Sequence, residues 1–204
     1  MLHMYKKIHL LINALVVAWG LVLPVMVLAG EQITAEEIRL LPSYCRGLGP
    51  ATYEPDALKY ATGTFPKNMP HAHHYCHGLQ NVLRANKNMG KKSAENYALG
   101  VANGHFKYVL NHTKAENTGG RYNAYLAMAS TENGKVLKRQ GNTAEAMQMF
   151  QQAINYNPKL PQAYAGLSDL YRDLGMIKEA REILEQGLKR VPKSKSLQRR
   201  LDKL

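Results

Sequence analysis

The stretch PQAYAGLSDLYRDLGMIKEAREILEQGLKRVP, residues 161–192, decides the fold because its pattern also occurs once immediately upstream. Four kinds of position recur at a spacing of 34 residues: a glycine, an alanine, a large apolar residue and a proline. The recurring pairs are Gly141 and Gly175, Ala146 and Ala180, Phe150 and Leu184, and Pro158 and Pro192. A fixed period of this length, with small and large apolar residues in the same order, indicates a helix-turn-helix unit written twice.

The second copy of the unit is the more regular. Its two helices are predicted to place the following residues at helical spacing on their packed faces: Tyr164, Leu167, Ser168 and Tyr171, then Ala180, Leu184 and Gly187. Gly175 is expected to turn the chain between the two helices, and Pro192 to end the second.

At these positions the chain resembles the tetratricopeptide-repeat family over residues 128–192. The resemblance implies a helical solenoid and a role in binding other proteins. Ser130 and Asn133 in the first copy stand where the family usually has large apolar residues. We therefore expect the first helix of that copy to pack differently.

The resemblance also implies which residues contact a partner. Solenoids of this family bind along a concave face lined by the first helix of each pair. Carrying those positions over to this chain gives six residues: Lys135, Lys138, Arg139, Gln162, Asp169 and Arg172. Because this lining would be mostly basic, it suits an acidic peptide or carboxy terminus. The alternative is that two repeats make too shallow a groove and that contacts use another face.

Residues 1–29 have the pattern of a targeting segment. Two lysines precede an apolar run over residues 8–29, and Pro24 breaks the end of that run. Small residues then predict a secretory signal peptide that is cleaved after Ala29. The alternative is an uncleaved membrane anchor, since the run is long enough to span a bilayer. In either case the rest of the chain is expected in the periplasm or secreted.

The positive charge of the chain narrows the choice of partners. The chain has 27 Lys and Arg against 15 Asp and Glu, a formal net charge of +12, and removal of residues 1–29 leaves +10. Outside the cytoplasm this charge favours acidic envelope material over nucleic acid. We therefore expect another envelope protein with an acidic segment, no nucleic acid, and membrane contact only through an uncleaved targeting segment. The alternative is that the charge only keeps the solenoid soluble.

The rest of the chain is also predicted to be helical. Helices are expected at residues 34–41, 55–60, 70–86 and 93–110, a polar loop at 111–121, and a capping helix at 194–204. The predicted fold is all-α, with a solenoid of about two repeat units and a carboxy-terminal cap. A helical hairpin and a loop-rich amino-terminal region precede it. The predicted divisions are residues 1–29, 30–121 and 122–204.

The two cysteines are predicted to form a disulfide. Two cysteines in an exported protein most often pair, and Cys76 faces the apolar side of its predicted helix while Cys45 lies in a nearby loop. The bond would join the amino-terminal region to the first long helix, with a stabilisation of roughly 3 kcal/mol in the chain-entropy picture. The alternative is two free thiols that bind metal or exchange disulfides.

Histidines crowd the same helix in the sequence HAHHYCH. His73 and His77 are four residues apart, so both could reach one metal ion, and His74 could assist from the same side. Imidazole nitrogens suit copper or zinc. However, the helix offers no carboxylate to complete a site. The alternative is that these rings form structural hydrogen bonds with nearby loops or face solvent.

Two functions remain open, and neither is enzymatic. The sequence shows no catalytic constellation, no phosphate-binding glycine loop and no paired acids in a predictable cleft. The first function is an exported adaptor or scaffold that assembles or maintains a cell-envelope complex. The second is a periplasmic copper- or zinc-binding, or redox, accessory protein that uses the histidine-rich helix.

The cleavage site gives a direct prediction about the mature protein. We expect its first residue to be Gly30, because small residues precede the site and Pro24 ends the apolar run. Intact-mass measurement of protein from the envelope fraction tests this expectation. A mass that includes Met1 would contradict it.

Overall fold

The computed structural model describes residues 39–45 and 69–204, and all regular structure in these ranges is helical. Their long helices are α1 (Ala72–Lys87), α2 (Lys92–Glu116), α3 (Asn123–Arg139), α4 (Thr143–Tyr156), α5 (Pro161–Asp173), α6 (Ile177–Arg190) and α7 (Lys195–Leu201). Short 3-10 turns occur at Ser43–Cys45 and Thr118–Gly120. Each helix packs on the next, which confirms the predicted all-α solenoid. None of the described helices is long and apolar enough to cross a membrane.

The two repeats turn in the same way because each has glycine at the same position. Gly141 and Gly175 have φ angles of 79° and 76°, a left-handed conformation that glycine adopts without steric cost. At the second turn, Gly175 N donates to Arg172 O at 2.9 Å and Met176 N donates to Tyr171 O at 2.9 Å. This pair of bonds is a Schellman motif, which satisfies the last carbonyls of α5. The predicted turn at Gly175 is therefore present.

The side chain of Phe150 on α4 joins the two repeats. It is fully buried and lies against Gly134 of α3 and Gly166 of α5. A Cβ atom at Gly134 would lie 2.9 Å from the phenyl ring, and one at Gly166 would also overlap it. Only glycine at these two positions lets the helices approach the ring so closely.

A second buried aromatic holds the next pair of helices. Tyr164 on α5 is fully buried, and a Cβ atom at Gly187 of α6 would lie 2.8 Å from both its ring and Leu197 of α7. Its hydroxyl donates to the carbonyl of Pro158 at 3.0 Å, which ties α5 to the turn before it. Leu197 is itself fully buried, so α7 covers the end of the repeats as predicted.

The core has two main parts, and α3 contributes to both. The first lies between α1, α2 and α3 and includes Phe106, Tyr125 and Leu126. The second begins at Leu137 and continues to α7. The first part thus extends across residue 121, and all described residues fall within one compact unit, residues 33–204.

The two polar residues that were expected to change the packing of α3, the first helix of the first repeat, face the core. Ser130 and Asn133 are both fully buried. In the described residues, Ser130 Oγ and both polar atoms of the Asn133 side chain have no hydrogen-bond partner. On its other side, α3 packs against α2 through Tyr125 and Leu126, which supplies the apolar contact that these polar residues lack.

One predicted boundary is wrong. The polar loop expected at residues 111–121 is helical as far as Glu116, so α2 is longer than the predicted 93–110. Thr113 is fully buried there, so the packed face continues one turn beyond Leu110. Asn117 then ends the helix, and its side-chain oxygen accepts a hydrogen bond from Tyr122 N at 2.7 Å.

The other helix boundaries agree with the predictions more closely. The helix predicted at 70–86 is α1, which starts at Ala72, and the cap predicted at 194–204 is α7. The signal peptide at 1–29, the helix at 55–60 and most of the helix at 34–41 lie outside the described residues.

The predicted disulfide between Cys45 and Cys76 is present, with their Cα atoms 5.3 Å apart. Both cysteines are fully buried and pack with Leu41, while the partly buried Leu79 and Leu83 lie alongside. The bond closes a loop with a sequence separation of 31 residues. It therefore attaches residues 41–45 to α1, with the stabilisation of roughly 3 kcal/mol that the sequence predicted.

We expect Tyr164→Ala to be among the most damaging substitutions in the repeats. It empties the space between α5, α6 and α7, and loss of a buried aromatic costs about 3–5 kcal/mol of unfolding free energy. Thermal or urea denaturation measures the change. The matched control is Tyr97→Ala, since Tyr97 is 69% exposed on α2 and its loss should be nearly neutral. Equal stability of the two variants would contradict the packing described above.

Candidate functional site

The first candidate site is a groove on the repeats, between α3, α5 and α7. It is a cavity of about 590 Å³. Charged and polar side chains surround a floor formed by Phe150, Ala165 and Gly166. We call it the repeat groove and define it by its polar lining: Lys135, Lys138, Arg139, Gln162, Asp169, Ser196 and Arg200.

The structure brings five of the six residues predicted from the resemblance to the repeat groove. They are Lys135, Lys138, Arg139, Gln162 and Asp169. Arg172 does not line the cavity, and its guanidinium instead lies 3.3 Å from Asp169 and 3.0 Å from Asp173. α5 therefore presents Gln162 and Asp169 to the groove and directs Arg172 to the neighbouring carboxylates.

Sequence reasoning missed the two lining residues that α7 supplies, Ser196 and Arg200. α7 was predicted only as a cap, although Ser196 follows Gln162 by the same 34-residue period that relates the two repeats. Applying that period once more would have placed α7 beside α5 as a further first helix. Arg200 reaches Asp169 at 3.2 Å and so fixes α7 against α5.

The groove lining is mostly basic, as expected, but each base has a carboxylate partner. The four pairs are Lys135 with Glu132 at 2.7 Å, Lys138 with Asp173 at 2.7 Å, Arg139 with Glu95 at 2.6 Å, and Arg200 with Asp169 at 3.2 Å. The hydrogen bond from Lys138 lowers the pKa of the Asp173 carboxyl, and that from Arg139 lowers the pKa of Glu95. These acids are ionised at neutral pH, so a ligand must compete with them or bind beside them.

The second candidate site lies on the hairpin formed by α1 and α2. Six of the eight histidines fall in the described residues, and all six stand near the start of α1 or on α2: His71, His73, His74, His77, His105 and His112. Tyr108 lies among them. Its ring stacks on His74 and on His112, with centroids 3.8 Å apart in both cases. We call this surface the histidine face.

The closest contact on the histidine face joins α1 to α2. His74 Nδ1 and His105 Nδ1 are 2.9 Å apart, so one nitrogen donates a proton to the other. The ring of His73 lies 4.3 Å from that of His74, and the ring of His77 lies 5.4 Å from that of His105. Four imidazoles are therefore contiguous across the two helices.

The pKa values of several of these histidines are lowered. Partial burial, reinforced by the neighbouring imidazoles, lowers the pKa of His74 and of His105 to about 4. The pKa of His73 is also lowered, first by burial and then by His77 and His71. His74 and His105 are therefore neutral at neutral pH.

The predicted metal set of His73, His74 and His77 is not assembled as such. In the described residues, no group of three or more His, Cys, Asp or Glu side chains is placed to hold a metal ion. Instead His74 faces His105, while His77 Nδ1 lies 3.0 Å from the side-chain oxygen of Gln80. Sequence reasoning missed His105, although the predicted hairpin had already placed its helix against α1.

A family comparison agrees with the repeat geometry. Residues 137–201, from the end of α3 through α7, match the model of the tetratricopeptide repeat. These residues therefore belong to the tetratricopeptide-repeat family, whose members in general are protein-binding scaffolds and not enzymes. No curated protein matches the chain.

We expect the histidine face to make stability depend on pH. The folded pKa values of His74 and His105 lie near 4, below the ordinary value of 6.5, so the unfolded chain binds more protons between these limits. Their contribution to the free energy of unfolding is therefore fully present above pH 6.5, and it is lost as the pH falls towards 4. Urea denaturation from pH 7 to 4 measures this loss. His105→Asn should flatten the dependence, and the exposed control His112→Asn should not; equal slopes in both variants would contradict it.

Proposed function

We propose that the protein is an exported scaffold that holds an acidic segment of another cell-envelope protein in the repeat groove. The observation that carries this proposal is that basic side chains from α3 and α7 line one cavity together with α5. These three are every second helix of the solenoid. Alternate helices line a single face of a stacked-repeat solenoid, and such faces are the usual binding surfaces of these folds.

The charges of the groove favour recognition by exchange of ion-pair partners. Lys138 and Arg139 each have side chains that are 27% exposed, so both are accessible while paired. Exposed ion pairs contribute little stability, typically 0–1 kcal/mol, so their replacement by carboxylates of a ligand costs the scaffold little. Charge complementarity would then supply the rate and specificity of binding more than its affinity.

The floor of the groove offers a different kind of contact. Ala165 and Gly166 carry small side chains or none, and they line the same cavity as the three bases of α3 and Arg200 of α7. An acidic segment with an apolar residue among its carboxylates therefore fits both the rim and the floor. A purely polar segment would leave the floor hydrated.

The proposal that the scaffold is exported rests first on residues 1–29. The lysines, the apolar run and the small residues before Gly30 support secretion. The disulfide is consistent with this location, because disulfides persist in oxidising compartments. The same location makes an envelope protein the expected partner.

The test uses a labelled peptide that alternates glutamate with leucine, and its glutamine counterpart as the uncharged control. We expect the glutamate peptide to bind and its affinity to fall as salt rises, since the Debye length is only ~8 Å at physiological ionic strength. Lys135→Glu together with Lys138→Glu should weaken binding about tenfold or more, which is 1.4 kcal/mol or more. Fluorescence anisotropy measures both effects.

The matched control reverses the same amount of charge elsewhere. Arg181 and Lys189 are exposed on α6, away from the groove, so Arg181→Glu together with Lys189→Glu should bind the peptide as the wild type does. Helical content by circular dichroism should be unchanged in both double variants. If both double variants weaken binding equally, the ligand responds only to net charge and the groove is not its site.

A further inference from the structure

The histidine face carries a chemistry that a protein-binding scaffold does not require. Its central pair, His74 and His105, comes from two different helices and is held in place on both sides. Tyr108 stacks on His74 with an angle of 26° between the rings, and His77 stacks on His105 with an angle of 29°. Ring contacts therefore hold these two nitrogens close to each other.

The spacing of these nitrogens fits one coordination geometry better than another. With metal–nitrogen bonds of about 2.0 Å, two ligands at a right angle are about 2.8 Å apart, whereas tetrahedral ligands are about 3.3 Å apart. The observed separation of His74 Nδ1 and His105 Nδ1 is 2.9 Å. In the hydrogen bond the two nitrogens point at each other, so each ring must turn by about 45° to direct its lone pair to a common metal ion. Right-angled nitrogen ligands are typical of copper(II) and nickel(II), and copper(II) binds more tightly.

We propose that His74 and His105 form a copper(II) site across α1 and α2, with solvent in the remaining positions of a tetragonal ion. The metal takes the place of the proton that the two Nδ1 atoms share. That proton leaves Nδ1 while Nε2 of the same ring takes one from solvent, so both ligands stay neutral imidazoles. Zinc, which prefers a tetrahedral set, binds less tightly at the same pair.

The neighbouring histidine His77 is held in one tautomer by a hydrogen bond. Its Nδ1 lies 3.0 Å from the oxygen of the buried Gln80 side chain, so Nδ1 carries the proton and Nε2 keeps its lone pair. A hydrogen bond of this kind fixes the tautomer that can bind a metal. His77 therefore supports the pair by stacking on His105 and is not counted among its ligands.

The backbone conformation just before α1 is also unusual. Among the described non-glycine residues, His71 alone has a positive φ, 57°. Its side chain lies 3.3 Å from Glu116 at the far end of α2, and its ring contacts Tyr108 and His112. Strained backbone of this kind tends to occur at functional sites. The His71 side chain thus holds the start of α1 against α2, beside the proposed pair.

The test is titration of the untagged full-length chain with copper(II), followed by electron paramagnetic resonance. The chain carries His3→Ala, so that the amino terminus and His3 cannot together chelate the ion. We expect one tetragonal copper(II) per chain with hyperfine coupling to nitrogen. His105→Ala should weaken binding roughly 10-fold or more, because loss of a ligand costs at least as much as loss of a group that orients one.

The control variant is His112→Ala, since the ring of His112 is exposed and packs on His71 and Tyr108 rather than on either member of the pair. It should bind copper as the wild type does. Should His105→Ala fail to fold by circular dichroism, the similarly sized His105→Gln gives the comparison instead. Equal copper affinity in the His105 and His112 variants, or a spectrum without nitrogen coupling, would overturn the proposal. Both outcomes leave the peptide binding of the repeat groove unaffected.

Discussion

The contact of Phe150 with Gly134 and Gly166 is the constraint on which the repeats depend. One ring on α4 lies against the backbone of both α3 and α5, and neither helix has a side chain at the point of contact. The ring of Phe150 therefore limits how closely α3 and α5 can approach each other. The width of the repeat groove follows from the distance between them, because α3 and α5 form two of its three walls. A side chain at either glycine would alter the groove as well as the core.

The repeat half of the fold was predictable because its signal is periodic. Four positions of the first repeat have a counterpart 34 residues later, and they are Gly141, Ala146, Phe150 and Pro158. In the structure the glycine makes the turn and Phe150 packs between the helices. The same period would also have identified Ser196, had α7 been treated as a repeat helix. The end of α2 was not predictable in this way, because residues 111–116 are polar in composition although Thr113 is buried.

In both candidate sites, some residues could be predicted from the sequence and others could not. Five groove residues followed from the resemblance to the tetratricopeptide repeat, which implies which side chains of each first helix line the concave face. Their carboxylate partners did not follow, because Glu95 meets Arg139 across 44 positions of chain and lies on a different helix. His105 was missed for the same reason: the packing of two helices, rather than spacing along one, brings it to His74.

The bonds of Arg139 have a consequence for communication between the two halves of the molecule. This groove residue donates to Asn86 at the end of α1 and to Glu95 at the start of α2, both at 2.6 Å. A ligand that binds the Arg139 guanidinium in place of Asn86 and Glu95 breaks the two hydrogen bonds that Arg139 makes to either side of the turn between α1 and α2. By linkage, anything that stiffens that turn must in equal measure oppose such a ligand. A ligand that displaced both bonds of Arg139 would thus loosen the turn between α1 and α2.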